Sequence, residues 1–317
     1  FDVVTSEDIG WSTYEIFLRK YNTLSGLFSL PRRIGSSKAR DYHNYGTSVI
    51  DSFGTSHVFY GCHNTPLFYN TLTSAKVLGT EISLPGLTTA SYPQPVITAD
   101  DVIYVFYRTG DPTTGNFSYS KSTDLGATWS NPIPVFLPSS GGGCYGTVNI
   151  SGAGTIHLQI TVRTVAINSA DSFFGINYAK MDTATDTWSK ADGTAITLPG
   201  NQSTFDAVES GAGFHAASIA IHPVTDAAYL SYAKDITTGD YFTASNGVIS
   251  HWNGTSWDKT TVTANSNNNY FWQLHIDSDL TYRLLTTSNA TAVAEVIEYK
   301  KLDEKDNLST KILSYLR

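Results

Sequence analysis

Two histidines stand in similar settings twenty positions apart: His43 in Asp41-Tyr-His-Asn-Tyr-Gly and His63 in Gly61-Cys-His-Asn-Thr-Pro. Imidazole titrates near pH 6.5, so a pair of them can take and give a proton near neutrality. Two arginines, Arg108 and Arg163, each follow an apolar run, and a guanidinium matches the geometry of a carboxylate. Tyrosines lie close to His43, His63 and Arg108. Imidazole, guanidinium and aromatic rings together suit proton transfer on an anionic, ring-shaped substrate. By position alone the two histidines read equally well as hydrogen-bonded residues of a rim.

The elements that must position these groups recur along the chain. The pattern is an aromatic residue, a short apolar strand, a turn rich in Asp, Gly or Ser, and a second apolar-aromatic strand. Its five copies start at Tyr45, Tyr92, Tyr145, His215 and Tyr270, spaced by 47, 53, 70 and 55 residues. Further strands such as NFSYSKS and FFGINYAK complete each unit. A period of about 50 residues with strand and turn signals predicts four-stranded propeller blades. The expected architecture is therefore all-β: a single β-propeller domain over residues 1–317 with about five blades, six or seven being compatible. The N-terminal strands before Arg40 and the C-terminal strands after Glu295 are expected to close the ring by sharing a blade. Pro199 to Gly213 reads as a long surface loop. The one amphipathic segment of helical period, Ser12 to Lys20, is short for a helix.

In such a blade the first two strands form a hairpin, so the start of one and the end of the other share a face. His43 lies before the first strand and His63 after the second, which brings them to one rim. In the same frame Arg108 ends the second strand of the next copy, and Arg163 aligns with His63. Lys234 and Asp235 fall on similar ground. The starts Tyr45, Tyr92, Tyr145, His215 and Tyr270 then line a central mouth, a cationic and aromatic surface suited to an anionic sugar chain. Any one of these tyrosines reads also as packing between blades. His57 and His157 repeat each other inside second strands and read as structural. His222 and His251 read as loop or edge residues, and His275 as core or lumen packing. Ser122-Thr-Asp-Leu-Gly-Ala-Thr-Trp129 matches the Asp-box pattern, whose side chains satisfy a tight turn. It is expected at the end of the blade away from the histidines.

Composition bounds the function. Charged residues are 15% of the chain and aromatics 13%, with 19 Tyr, 6 Trp and a single Met, as in β-rich extracellular proteins. A net charge of −8 argues against a nucleic-acid partner, which needs a basic face. No apolar run reaches the roughly 18 residues of a membrane helix. The chain begins at Phe1 rather than Met, as expected of a processed or trimmed product. Cys62 and Cys144 form neither a disulfide framework nor a metal motif by spacing, and read as buried thiols in preference to a bridge. No ligand spacing marks a metal site, no cofactor is required, and a structural calcium in a loop is left open.

The segments Asp41-YHNYGTSVID, His57-VFYGCHNTPLFY and IYVFYR, with the Asp box, resemble the BNR-4-type propellers that include ulvan lyases and related polysaccharide lyases. The resemblance is strongest over residues 41–190. It implies a polysaccharide lyase that cleaves a uronate-containing acidic polysaccharide by β-elimination. It further implies that His43 and His63 flank the uronic acid, with Arg163 as its carboxylate partner. Tyr107 and Arg108 fall where the family places further active-site side chains. Asn44 and Asn64, next to the histidines, and Tyr45, Tyr92, Tyr145, His215 and Tyr270 are the expected substrate contacts. The family members in mind have seven blades, which leaves the particular polysaccharide open.

Two other classes compete. A glycoside hydrolase would need an arginine triad or paired carboxylates. Only Arg108, Arg163 and Arg283 lie mid-chain, and Asp41, Asp206, Glu209 and Asp235 do not repeat in register. A non-catalytic glycan-binding propeller, such as a phage receptor-binding tip, would use the tyrosine-lined mouth for binding alone. A secreted enzyme is expected outside the cell as a monomer, and a virion tail protein as a trimer.

Overall fold

The computed structural model describes residues 1–8, 14–36, 46–61, 63–110, 114–139, 142–163, 173–235, 245–262, 272–288, 295–301 and 309–313. These residues form antiparallel sheets and contain no helix. They divide into two compact units, Phe1–Asp111 with Gly115–Phe136, and Pro112–Thr114 with Leu137–Arg317.

The first unit holds three sheets. Asp2–Asp8, Tyr14–Asn22, Leu27–Phe28 and Arg32–Ser36 make the first, Thr47–Ile50, Ser56–Tyr60, Phe68–Leu72 and Ile82–Ser83 the second. Ala90–Ile97, Ile103–Thr109, Asn116–Ser122 and Ile133–Phe136 make the third, with His63–Thr65 added along Ala90–Ile97. The second unit also holds three. Gly143–Ile150, Thr155–Arg163, Phe173–Asp182, Thr187–Ser189 and Ala195–Ile196 form one, with Asp206–Ala212 paired to Phe173–Asp182. Phe214–Ile221, Ala228–Asp235, Ser245–Trp252 and Trp257–Val262 form the next. Trp272–Ile276, Tyr282–Ser288, Glu295–Lys301 and Ser309–Leu313 form the last.

Two expectations are corrected here. The N-terminal strands make a sheet of their own and the strands from Glu295 onward complete another, so the two ends do not share a blade. The segment from Pro199 to Gly213 contains the strand Asp206–Ala212 rather than only a loop. Tyr14–Asn22, which overlaps the short amphipathic segment, is a strand in which Ile16 and Leu18 alternate into the core.

The second strand of each hairpin explains why the apolar runs are continuous. A strand covered on both faces needs apolar residues at every position. In Ser56–Tyr60, Val58 and Tyr60 pack against Ile16, Leu18 and Ile34, while Phe59 packs the other way with Ile103, Val105 and Tyr107. In Ala228–Asp235, Leu230 and Tyr232 face Ile176 and Tyr178, whereas Tyr229 and Ala233 face Leu274 and Leu284.

The hairpin turns share one geometry. The N–H groups of Gly54, Asp101, Gly154 and Leu280 donate to the carbonyls of Asp51, Thr98, Ser151 and Asp277. All four donors have positive φ, between 62° and 82°, the left-handed residue that a three-residue hairpin loop demands. His57 and His157 are structural, as their repetition implies. His57 joins Tyr69 Oη at 2.6 Å and Asp51 Oδ2 at 3.2 Å, and His157 joins Tyr178 Oη at 2.7 Å. His222 is buried in a hairpin turn, where its Nδ1 accepts from the Val224 and Thr225 N–H groups. His275 is exposed and pairs with Asp277 at 3.1 Å, so it is neither core nor lumen: its strand turns that face to solvent.

The turn after Asn116–Ser122 is closed by Asp124, which accepts from Thr128 N at 2.8 Å and Thr128 Oγ1 at 2.5 Å. Trp129 then packs edge-on to Phe59 and Tyr69. Gly126 has φ +81°, and a Cβ there would run into the Tyr69 hydroxyl that holds His57. Gly126→Ala is therefore expected to destabilise the protein by about 2–4 kcal/mol through backbone strain and overpacking. Urea unfolding at equilibrium checks this, and an unchanged midpoint would contradict it.

Burial holds the His157 imidazole at about 4, against an ordinary 6.5, with Lys180 repelling its charged form, and burial also lowers His57. Below about pH 6.5 the unfolded chain therefore takes up protons that the folded chain refuses. The stability from these groups is complete above pH 6.5 and falls as pH drops toward 4. For His157, which is 5% exposed, it amounts to about 3 kcal/mol. The urea midpoint of the wild type should fall over that window, and more steeply than that of His157→Gln. Equal slopes would contradict it.

Candidate functional site

Each unit carries one cluster of the residues singled out by the sequence. In the first unit the strand Ser56–Tyr60 stops at Gly61, whose φ of +81° turns the chain out of the second sheet. His63 thus starts a new strand on the third sheet rather than trailing the hairpin. It stands opposite Ser91, and Ser91 opposite Arg108, giving one row His63–Ser91–Arg108 across three strands. The Asn64 N–H donates to Ser91 Oγ at 3.1 Å, fixing this added strand. Asn64 itself is exposed, with φ +56°.

Tyr92 follows Ser91 where the register of Ala90–Ile97 shifts, and its φ is +59°. A tyrosine in the left-handed region costs about 1–2 kcal/mol, a strain typical of functional positions. The bulge sets the Tyr92 ring 6.2 Å from the His63 ring and 4.9 Å from Arg108 Cζ. The result is a half-buried histidine beside a half-buried tyrosine whose face is occupied by a guanidinium.

Two expectations in this cluster are corrected. Tyr107, expected among the catalytic groups, is fully buried in the core with Phe59 and Val105, and its hydroxyl bonds Ser120 Oγ at 2.7 Å. Strand alternation sends it to the opposite side from Arg108. Arg108, expected to touch substrate, is 1% exposed, with its Cζ 4.9 Å from the Tyr92 ring. The Ser122–Trp129 turn lies at the other end of this sheet, since Ser122 pairs with Ile103, five residues before Arg108 on that strand.

In the second unit Gly143 stands opposite Arg163, so the start and end of the hairpin do share an end of the sheet. Arg163 Nη1 donates to Tyr145 Oη at 3.3 Å, and its Cζ lies 5.6 Å from the Phe173 ring. Its Nε is buried and has no hydrogen-bond partner among the described residues. His215 completes the cluster, 5.9 Å from the Tyr145 ring and 5.1 Å from Phe173. Burial holds the His215 imidazole at about 4, and Arg163 opposes its charging. It is therefore neutral near pH 7. Its Nδ1 donates to the Ala216 carbonyl at 2.9 Å. Phe173 was not singled out in the sequence. Its signal was an aromatic at the start of the strand next to Arg163, one of many in this chain.

The cluster brings a half-buried guanidinium together with a phenol and a neutral imidazole, and a guanidinium matches the geometry of a carboxylate. Two of the competing acids are otherwise engaged. Glu209 is paired with Lys259 at 2.7 Å and Lys234 at 3.6 Å, and Asp206 accepts from the Ala191 N–H at 2.6 Å. His43, Asn44, Tyr45, Cys62 and Tyr270 lie outside the described residues, as does Asp41. Cys144 is buried. Among the described residues, no group of three or more His, Cys, Asp or Glu side chains is gathered to hold a metal ion.

No curated protein matches this sequence. Solved structures do resemble the fold. An ulvan lyase of polysaccharide lyase family PL25 superposes with a TM-score of 0.78 at 18% identity, covering 94% of this chain and 79% of the other. The same lyase has been solved bound to -[GlcA(1-4)Rha3S]-. The polysaccharide lyase Uly1 gives 0.66 at 12% identity, over 99% of this chain and 79% of the other. A protein of unknown function from Dyadobacter fermentans gives 0.55 at 11% identity, over 92% and 84%. These likenesses show the fold, an all-β propeller built of antiparallel sheets. The model of the BNR repeat-containing family matches residues 5–265, well beyond the 41–190 segment that carried the resemblance, and the chain belongs to that family.

Proposed function

We propose that this protein is a polysaccharide lyase that cleaves a uronate-containing acidic polysaccharide by β-elimination. The observation that carries the proposal is Arg163: a guanidinium fixed by Tyr145 and Phe173, its buried Nε without a partner among the described residues. Such a group is preorganised for an anion that the described protein does not itself supply. The fold likeness to a lyase bound to a glucuronate-containing oligosaccharide supports a uronate as that anion.

The chemistry follows from the substrate. The proton to be removed lies α to a carboxylate and is weakly acidic. Pairing the carboxylate with Arg163 stabilises the enolate-like charge that develops, where fixed electrostatics contribute most. A base then takes the proton, and an acid protonates the departing glycosidic oxygen. His63, with Tyr92 beside it, is the described group suited to proton transfer, and His43 is its proposed counterpart. Arg108 holds the Tyr92 ring. Tyr145 and the neutral His215 bind the sugar around Arg163. No cofactor takes part in this scheme, and the enzyme is proposed to act outside the cell as a monomer.

Incubation with ulvan, capsular and glycosaminoglycan uronates, followed by ultraviolet absorbance, tests the reading. At least one polymer should yield the chromophore of an unsaturated uronate. New reducing ends without it would overturn the lyase proposal. Arg163→Gln should lower kcat/KM by about 10²–10³, the typical effect of removing one charge-stabilising donor. His63→Ala should lower kcat by about 10²–10⁴. Either variant retaining wild-type rates would remove that residue from the mechanism.

A further inference from the structure

The strand Thr155–Arg163 ends at Arg163, but its other end borders a cavity in the same unit. This cavity measures about 430 Å³ and opens between the sheet of Gly143–Ile150 and the sheet of Phe214–Ile221, at their hairpin-turn ends. Ala153 N–H donates to Asp226 Oδ2 at 2.9 Å and ties the two turns together beside it. His157 is six residues from Arg163, or about 20 Å along the strand. The cavity is therefore separate from the Arg163 cluster.

Register explains what lines it. His157 stands opposite Lys180, and Lys180 opposite Ser189, so the three share one face of their sheet. Facing them are Trp252 and Trp257, which stand directly opposite each other at the base of a tight turn. Asn253 closes that turn, its Oδ1 accepting from the Thr255 and Ser256 N–H groups at 2.9 Å. The two indoles meet edge-on at 5.7 Å, and Trp257 is braced against Tyr178 at 4.8 Å. Both remain partly exposed. Two rigid indoles beside a polar wall form a surface on which a pyranose ring can stack.

The polar wall is incompletely satisfied. His157 is 95% buried, being 5% exposed, and Tyr178 occupies its Nδ1 while Nε2 has no partner among the described residues. Trp257 Nε1 is likewise buried without a partner among them. Each such group costs about 1–3 kcal/mol until something bonds it. Lys180, opposite His157 across the strands, donates its Nζ to the Ala191 carbonyl at 3.0 Å. A hydroxyl both donates and accepts, so it suits His157 in either tautomer. Asp182 and Asp226 outnumber Lys180 in the lining, and His157 is held neutral, so the cavity has no surplus positive charge to attract a uronate.

We infer that this cavity is a second, non-catalytic saccharide-binding site, which takes an uncharged glycosyl residue stacked on Trp252 and Trp257. It would hold a polysaccharide on the enzyme apart from the Arg163 cluster. The function proposed above supplies the polysaccharide, but the site itself can be tested without turnover.

The test is native gel electrophoresis of the full chain in gels containing ulvan, xylan or galactomannan. At least one polymer should retard the wild type and Arg163→Gln alike, while Trp252→Ala should bind about tenfold more weakly, as expected for losing an aromatic anchor. Trp257→Phe keeps the ring packing and removes the N–H, and should show a smaller loss. Trp252→Ala should also leave cleavage of short oligosaccharides at the wild-type rate. Retardation of Trp252→Ala equal to wild type, or no retardation of the wild type by any of the polymers, would overturn the site. Retardation without an unsaturated product would leave the site standing and the lyase proposal contradicted.

Discussion

The structure depends on one constraint: in the repeated hairpins the second strand is covered on both faces along most of its length. Ser56–Tyr60, Ile103–Arg108 and Ile156–Val162 have almost no exposed side chain. Residues on such a strand have only two routes to function, at its ends or by displacement of a neighbouring strand. Arg163 takes the first, as the half-buried terminal residue of its strand. His63 takes the second, carried by Gly61 onto the adjoining sheet. Tyr107, one position inside the end of its strand, has neither and is core.

In the first unit the candidate positions lie where the repeat is broken. The regular hairpin turns carry a left-handed residue because the turn requires one. Asn64 and Tyr92 carry positive φ for another reason: one anchors a strand that has changed sheets, the other lies at the register shift. The Arg108 guanidinium lies over the Tyr92 ring, 4.9 Å from its centre. In the second unit the hairpin runs in regular register past Tyr145, and the Arg163 cluster is assembled from strand ends alone.

Much of this was legible in the sequence, for reasons that differ by residue. The hairpin repeat showed itself because doubly covered strands need unbroken apolar runs, and it brought Tyr145 and Arg163 together correctly. The pairing of His157 with His57 as structural groups was legible in the shared Gly-Thr two residues before each. Tyr107 was misplaced because in an all-apolar strand alternation leaves no mark in the residue types. The crossing of His63 depends on the conformation of Gly61, and a glycine in sequence does not announce its φ. The N-terminal sheet lacked the aromatic start and the turn of the repeat, so its strands read as a closing fragment. The Trp252–Trp257 cavity went unseen because its lining comes from two sheets, with Lys180 and Trp252 seventy-two positions apart in the chain.

The central claim is elimination rather than hydrolysis, and the fate of water separates the two. Digestion of a susceptible uronate polymer in heavy-oxygen water, followed by mass spectrometry of the oligosaccharides, reads this directly. β-Elimination should give products with an unsaturated non-reducing end and no solvent oxygen incorporated by cleavage. Products that each gain the elements of water, with the heavy oxygen at the cleaved bond, would contradict it.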